Sequence, residues 1–395
     1  MIQTESRALH RFAMLTALAT LGLVGMGGLV TSHGVGMAVP DWPTSYGYNM
    51  FALPISTWFT GGVFHEHTHR LWASLVGVLV VALTRWLGGR ESRGPLIIIG
   101  LAEIVAGQAL LRFGADWKGA GHFLAGIGGV VLLAGIVWIN NRPAPKPLAK
   151  LAWWAFGLVQ VQGLLGGLRV ILDAQVVADL RLGTAFGILH ACLAQAFLVL
   201  LAVIALMTSR WWNRIALPQN DNRSARLFLV TTALIFVQLI IAATMRHQHA
   251  GLAIWDFPLA HGRWWPELSA SAVAGYNAQR VEITAAEPVT AFQIVLQMVH
   301  RLMALLILAG VGASAWRTRR TGPAVGLRGV GYLWLGLILA QIGLGAWTVW
   351  SNKAADVTTA HVVVGSLSLV TGALGCLISL PRFARVTEAQ GAPLS

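Results

Sequence analysis

A repeat relates the two halves of this chain, and it carries histidines into apolar segments. Residues 36–43 (GMAVPDWP) recur at 251–258 (GLAIWDFP), an offset of 215 (251 − 36). The dipeptide His69-Arg70 recurs as His300-Arg301, an offset of 231 (300 − 69). Ionisable side chains are costly inside a bilayer, so those found there usually serve a function. Each half also places one further histidine in a later apolar segment, namely His190 and His361.

The composition predicts an all-α polytopic membrane protein. Hydrophobic residues make up 56% of the chain and charged residues only 11%, and about 20 helical residues span the hydrocarbon core of a bilayer. The apolar runs predict about ten transmembrane helices. They lie at roughly 12–31, 61–86, 95–112, 121–139, 151–170, 183–208, 226–245, 290–315, 329–350 and 358–380.

The repeat offsets divide these helices into two pseudo-symmetric four-helix bundles. The offset between the last histidines is only 171 (361 − 190), so the first half is about 60 residues longer between its two histidines. A helix pair inserted at about 95–139 accounts for that length. We therefore expect an N-terminal bundle over 1–215 and a C-terminal bundle over 216–395. Because each repeat has four helices, both would have the same orientation in the membrane.

The net charge of +13 reflects membrane topology and not nucleic-acid binding. With the N-terminus inside, eighteen of the 28 Lys and Arg fall at inner loops and helix ends. Cytoplasmic loops carry such an excess, so both termini are predicted to be cytoplasmic. Five fall in outer loops: Lys118, Arg181, Arg263, Arg280 and Lys353.

The four repeat-related histidines are candidate ligands of heme iron. His69, His190, His300 and His361 each lie near the outer end of a predicted helix, and the two in each half lie at comparable depth on different helices. Two such imidazoles can bind one heme from opposite faces. The alternative is that each histidine only hydrogen-bonds a neighbouring helix, but matched positions in both repeats favour ligation.

A second interpretation of this region is a zinc site. His65-Glu66-His67-Thr68-His69 satisfies the His-Glu-x-x-His pattern of an intramembrane zinc metalloprotease. The second half keeps His300 but places Gln297 where the first has Glu66, which a zinc motif does not explain. The same comparison makes Glu66 the candidate catalytic acid–base residue, since only the first half carries it. Its alternative role is an ion pair with Arg70.

Four arginines at outer helix ends are candidates for binding heme propionates, because guanidinium groups pair well with carboxylates. Snorkelling of these side chains to the membrane surface is the alternative. The four are Arg70, Arg169, Arg246 and Arg301.

With these motifs in place, the chain resembles the heme A synthases. The resemblance rests on Glu66-His67-Thr68-His69-Arg70, on the loop Pro40-Asp41-Trp42-Pro43, and on His190, His300 and His361. It implies oxidation of the C8 methyl of heme O to the formyl group of heme A, for assembly of a terminal oxidase. It also implies that the first-half histidines flank heme O, that the second-half pair holds heme b, and that Glu66 is needed for catalysis.

The resemblance further implies a bacterial inner membrane, heme O delivered by a heme O synthase, and contact with lipid; a homo-oligomer is left open. The chain departs from the family in two features. Many members carry a cysteine pair in the first outer loop, where this chain has Val39 and Ser45, and the inserted helix pair is unusual. A di-heme cytochrome b exchanging electrons with a quinone remains the alternative from another class. A transporter is disfavoured, because the polar residues cluster at the outer ends and not at the midplane.

Overall fold

The computed structural model describes residues 6–114, 117–137, 141–177, 180–212, 222–280, 288–320 and 326–380. The chain divides into two compact units, Met1–Asn213 and Arg214–Ser395. The predicted boundary at residues 215 and 216 lies outside the described residues.

The described part of the first unit consists of helices, one short hairpin and irregular loops. Its helices are α1 (Arg7–Ser32), α2 (Ile55–Trp58), α3 (Val63–Gly88), α4 (Arg93–Leu110), α5 (Lys118–Ile136), α6 (Lys146–Ile171) and α7 (Leu182–Met207). Two-residue strands, β1 (Val176–Val177) and β2 (Leu180–Arg181), pair antiparallel between α6 and α7. Helices α1, α3, α6 and α7 form a closed four-helix ring in which each packs on the next and α7 packs on α1.

The second unit repeats this ring. Its helices are α8 (Asn222–His247), α9 (Ala270–Ala278), α10 (Ala291–Thr318), α11 (Leu327–Trp350) and α12 (Ala355–Ser379). Contacts run from α8 to α10, α11, α12 and back to α8. Thr290 and Gln293 form a capping box that fixes the start of α10. In the core, Phe228 stacks on Trp334 with ring centroids 5.2 Å apart.

The prediction of an all-α polytopic membrane protein is confirmed. Among the described residues, nine helical segments are long and apolar enough to cross a membrane. One of them, Val63–Leu110, has 48 residues and includes both α3 and α4 with a 3₁₀ turn at Gly89–Ser92 between them. A straight helix of that length would extend roughly 72 Å, more than twice the core thickness of about 30 Å. The break at Gly89, where φ is +53°, separates it into two spans.

The inserted pair α4–α5 packs closely through glycines. A Cβ on Gly100 would lie 2.5 Å from the backbone nitrogen of Leu132, and one on Gly107 would lie 2.6 Å from that of Ala125. Small residues of this kind let membrane helices approach at backbone distance. Arg85 of α3 holds the pair at the C-terminal end of α5, donating to the carbonyl oxygens of Ala134 (3.2 Å) and Val137 (3.2 Å).

Candidate heme sites

In the second unit, the two predicted ligand histidines face each other across the bundle. His300 lies on α10 and His361 on α12, which occupy opposite corners of the helix ring. Their ring centroids are 6.5 Å apart and their planes are inclined by 55°. Two imidazoles on one metal have centroids roughly 6 Å apart, given metal–nitrogen bonds of about 2.0 Å and about 1.1 Å from nitrogen to ring centre. The pair therefore fits a bis-histidine heme iron.

The first unit has the equivalent arrangement. His69 lies on α3 and His190 on α7, again opposite corners of a four-helix ring. The two side chains interact electrostatically with each other, and both interact with Arg169. Two imidazoles on opposite helices are the donor set that a second bis-histidine heme requires.

Glycines on neighbouring helices leave room for three of these imidazoles. A Cβ added to each glycine would lie against the imidazole Cε1, at 3.2 Å for Gly27 and His69, 3.4 Å for Gly166 and His190, and 3.2 Å for Gly345 and His361. The carbonyl one helical turn before each glycine lies beside the same ring; these carbonyls belong to Leu23, Gln162 and Gln341. In the described part of the chain, none of the four Nδ1 atoms makes a hydrogen bond of ordinary geometry. Side-chain ligands of metals are commonly oriented by such neighbours, which fix the ring and its tautomer.

Glu66 and Gln297 occupy equivalent positions and hold equivalent loops. Glu66 is 4% exposed, and its Oε2 accepts a hydrogen bond from the amide of Val39 at 2.9 Å. Gln297 is 3% exposed, and its Oε1 accepts from the amide of Ile254 at 2.7 Å. The two side chains differ on their other atom. Glu66 Oε1 forms an ion pair with Arg70 at 2.6 Å, whereas Gln297 Nε2 donates to loop carbonyls.

Arg70 ties the first outer loop to α3. Its Nη1 donates to the carbonyl oxygens of Asp41 (2.6 Å) and Thr44 (3.1 Å). Its Nη2 donates to the carbonyl oxygen of Val39 (2.7 Å) and to Glu66. These contacts use four of the five N–H groups of the guanidinium. The pairing of Arg70 with a propionate stays a prediction, and its loop contacts do not support it.

Arg301 does the same in the second unit. It donates to the carbonyl oxygens of Leu259 (2.8 Å) and Asp256 (2.7 Å), and its guanidinium lies 5.4 Å from the Phe257 ring centroid. Its predicted pairing with a propionate is likewise untested by these contacts.

The other two arginines also interact electrostatically with the candidate ligand histidines. Arg169, in the last turn of α6, interacts electrostatically with Glu66 and with both first-unit histidines. Its Nη2 passes so near the first outer loop that a Cβ on Gly36 would be 2.5 Å away. Arg246, in the last turn of α8, interacts electrostatically with His361. Arg169 lies on the third helix of its ring and Arg246 on the first. The two arginines therefore do not occupy equivalent positions in the repeat.

The two repeated loops, at residues 36–47 and 251–262, share one backbone conformation. The carboxylate of Asp41 accepts from the amides of Tyr46 (2.7 Å) and Gly47 (2.8 Å), and that of Asp256 accepts from His261 (2.7 Å) and Gly262 (2.8 Å). Tyr46 and His261 both have φ of +53°, in the left-handed region. Both loops also contain a cis X–Pro bond, at Trp42–Pro43 and Phe257–Pro258.

Hydrogen bonds keep Asp41 ionised. Burial alone would raise the pKa of Asp41, but the Thr44 side chain and the amides of Gly47 and Tyr46 outweigh it and hold the pKa below its ordinary value of 3.8.

The histidines of the His-Glu-x-x-His segment make separate contacts. His65 stacks on His33 with ring centroids 4.6 Å apart, while His67 is fully buried, with Nδ1 3.3 Å from the Ser45 hydroxyl oxygen. A zinc site needs at least three protein ligands. Across the described residues, no three His, Cys, Asp or Glu side chains form such a group.

Several site residues were not identified from the sequence. The glycines beside the imidazoles carry no chemistry of their own, and their importance depends on which helices become neighbours. Gln162 and Gln238 donate to the backbone carbonyls of His190 (3.2 Å) and His300 (2.9 Å), one on the third helix of its ring and the other on the first. Asp41 and Asp256 lie inside the repeated loop, so the repeat itself was a signal for their shared role.

Known proteins resemble this chain over most of its length. The sequence model of the COX15-CtaA family, described as cytochrome oxidase assembly protein, matches residues 120–372. A heme A synthase of Sphingopyxis alaskensis is 25% identical over 393 residues, which cover 96% of this chain and 94% of that protein.

Two further heme A synthases align over shorter segments. That of Nitrosomonas eutropha is 25% identical over 278 residues, 69% of this chain and 74% of that protein. That of Rhodospirillum centenum is 29% identical over 259 residues, 64% of each.

Proposed function

We propose that this chain, which belongs to the COX15-CtaA family of cytochrome oxidase assembly proteins, oxidises the C8 methyl group of heme O to the formyl group of heme A. With water as the oxygen source, conversion of the methyl to a formyl group (R–CH3 + H2O → R–CHO + 4 H⁺ + 4 e⁻) releases four protons and four electrons, and the electrons pass to an external electron acceptor. The enzyme would thus be an oxidoreductase acting on a CH group of its heme substrate. The names of the matched relatives support this proposal.

We assign heme O to His69 and His190 in the N-terminal bundle (1–215), and heme b to His300 and His361 in the C-terminal bundle (216–395). The 6.5 Å separation of the second pair supports bis-histidine ligation there. When bound, heme b supplies one-electron transfer to and from the protein. Arg169 and Arg246 remain proposed partners of the propionates; each interacts electrostatically with a ligand histidine of its unit, as Arg70 and Arg301 also do.

The observation that carries the proposal is the difference between two otherwise matching sites. Both units have a histidine pair and an outer loop held by the same acceptor position, yet only the first has a carboxylate there. A protein that only transfers electrons through two hemes needs no such difference. Glu66 would accept protons released during oxidation of heme O. Each of its oxygens accepts one hydrogen bond in the structure, which leaves further lone pairs available.

The chain is a multi-pass membrane protein, and we propose that it lies in a bacterial inner membrane with both termini in the cytoplasm. The inward excess of Lys and Arg supports that orientation. Heme O reaches the first site from the lipid phase or directly from a heme O synthase. Nucleic acid has no part in this function.

Analysis of bound pigments tests the proposal. The protein is purified from a host that makes heme O, and its hemes are extracted with acidic acetone and separated by chromatography. We expect heme A or heme O together with heme b. Heme b alone would contradict the synthase assignment and favour the di-heme cytochrome b.

A further inference from the structure

Helix α5 of the inserted pair contacts Trp42 in the loop that follows α1. Phe123 of α5 lies against Trp42, with ring centroids 4.5 Å apart and planes inclined by 47°. On the same helix, a Cβ on Gly119 would come within 2.5 Å of the Trp42 carbonyl oxygen. Helix α5 therefore touches both the ring and the backbone of Trp42.

Trp42 also packs against α6. Its ring lies where a Cβ on Gly167 would stand, 2.4 Å from its carbons. The preceding residue, Gly166, is the one that abuts the His190 imidazole. Phe123 also contacts α6, since a Cβ on Gly163 would lie 2.8 Å from its Cζ. The Trp42 ring is thus fixed between α5 and α6, one residue away from the His190 contact.

The second unit supports the equivalent ring in another way. Phe257 takes the place of Trp42, and Trp350 of α11 packs on it with centroids 6.0 Å apart and donates to its carbonyl oxygen at 3.3 Å. The offset that relates Gly166 to Gly345 is 179 (345 − 166), so Trp350 corresponds to Ile171 (350 − 179). Ile171 is 46% exposed. In the first unit, Phe123 from the insertion supplies the aromatic support.

We propose that α5 is part of the first heme site and that Phe123 is a positioning residue, which holds Trp42 against α6, one residue from the glycine that abuts His190, and thereby sets how heme O lies in the site. This inference rests on the proposed function for the identity of the substrate. An aromatic pair is worth about a 2- to 12-fold change in a binding equilibrium. Loss of the Phe123 ring should weaken heme O binding by that factor, while the second site keeps its heme b.

The test is an optical titration of purified protein with heme O, together with KM and kcat for its conversion. Phe123→Ala should raise Kd and KM for heme O by about 2- to 12-fold, with a smaller change in kcat and normal heme b content. Phe123→Tyr keeps the ring and should restore wild-type values. Phe113→Ala is the matched control, because this ring lies in the same insertion but is 74% exposed.

A second pair of variants keeps the Phe123 side chain and changes the α6 surface on which it packs. Gly163→Ala should displace Phe123 and raise Kd, whereas Gly157→Ala, on the same helix with nothing within 4 Å, should not. Wild-type Kd and KM in both Phe123→Ala and Gly163→Ala would overturn the inference. A wild-type protein that binds heme O but never converts it would refute the proposed function alone, because the Kd comparison still tests Phe123.

Discussion

The glycine at position 345 leaves the space that the His361 imidazole needs to bind iron, and adding one methyl group tests this. In Gly345→Ala the new Cβ would lie 3.2 Å from Cε1 of His361, closer than ordinary carbon contacts of 3.4–4 Å. The imidazole must shift by a few tenths of an ångström. Overpacking of this kind typically costs about 1–3 kcal/mol, so heme b affinity should fall by roughly 5- to 150-fold.

The neighbouring glycines provide graded controls. Gly343→Ala lies on the same helix with nothing within 4 Å, so it should leave heme b bound normally. Gly166→Ala places its Cβ 3.4 Å from Cε1 of His190, at the edge of ordinary contact, and should affect the first site only slightly. The assay is heme content per protein and the low-spin optical spectrum after purification. Equal heme b content in Gly345→Ala and Gly343→Ala would refute the reasoning.

Two further predictions concern the first outer loop. Glu66→Gln should lower the rate of heme A formation by roughly 10²–10⁴-fold if the carboxylate moves protons, with heme b retained and heme O accumulating in extracted pigments; a near-wild-type rate would reduce Glu66 to an ion-pair partner of Arg70. The pKa of Asp41 in the folded protein lies below its ordinary value of 3.8. The ionised carboxylate therefore stabilises the loop fully above pH 3.8, and this stabilisation is lost as the pH falls through the pKa of the folded state. Asp41→Asn should abolish this acid-dependent loosening, measured as the rate of loop proteolysis against pH.

The sequence was most informative where local pattern and repeat agree. Apolar runs of about 20 residues predicted the long helices because a bilayer core fixes the length that must be crossed. The repeat also indicated that His300 and His361 form a pair, since it placed a matching pair in the first half. Their 6.5 Å centroid separation is consistent with that pairing.

The contacts of charged groups could not be read from the sequence. The sequence position of Arg70 suits a propionate, yet its donors reach the carbonyl oxygens of Val39, Asp41 and Thr44. Every residue has a backbone carbonyl, so the residue type does not show which carbonyls accept hydrogen bonds. Such partners are seen only in the folded loop. The role of Gly345 is also visible only in the folded protein, because it depends on the His361 ring that this glycine faces.

The inserted helix pair shows a third limit. The repeat offsets revealed its length, but an insertion has no partner in the second half against which its residues can be compared. Only the fold shows that Phe123 lies 4.5 Å from Trp42.

The most direct test of the central claim, that the two histidine pairs hold different hemes, is to remove each pair in turn and identify the pigment that remains. His69→Ala/His190→Ala should retain heme b with its low-spin spectrum and contain neither heme O nor heme A. His300→Ala/His361→Ala should lose heme b and still bind heme O at the first site. Loss of the same pigment from both double variants would contradict the assignment of separate substrate and electron-transfer sites.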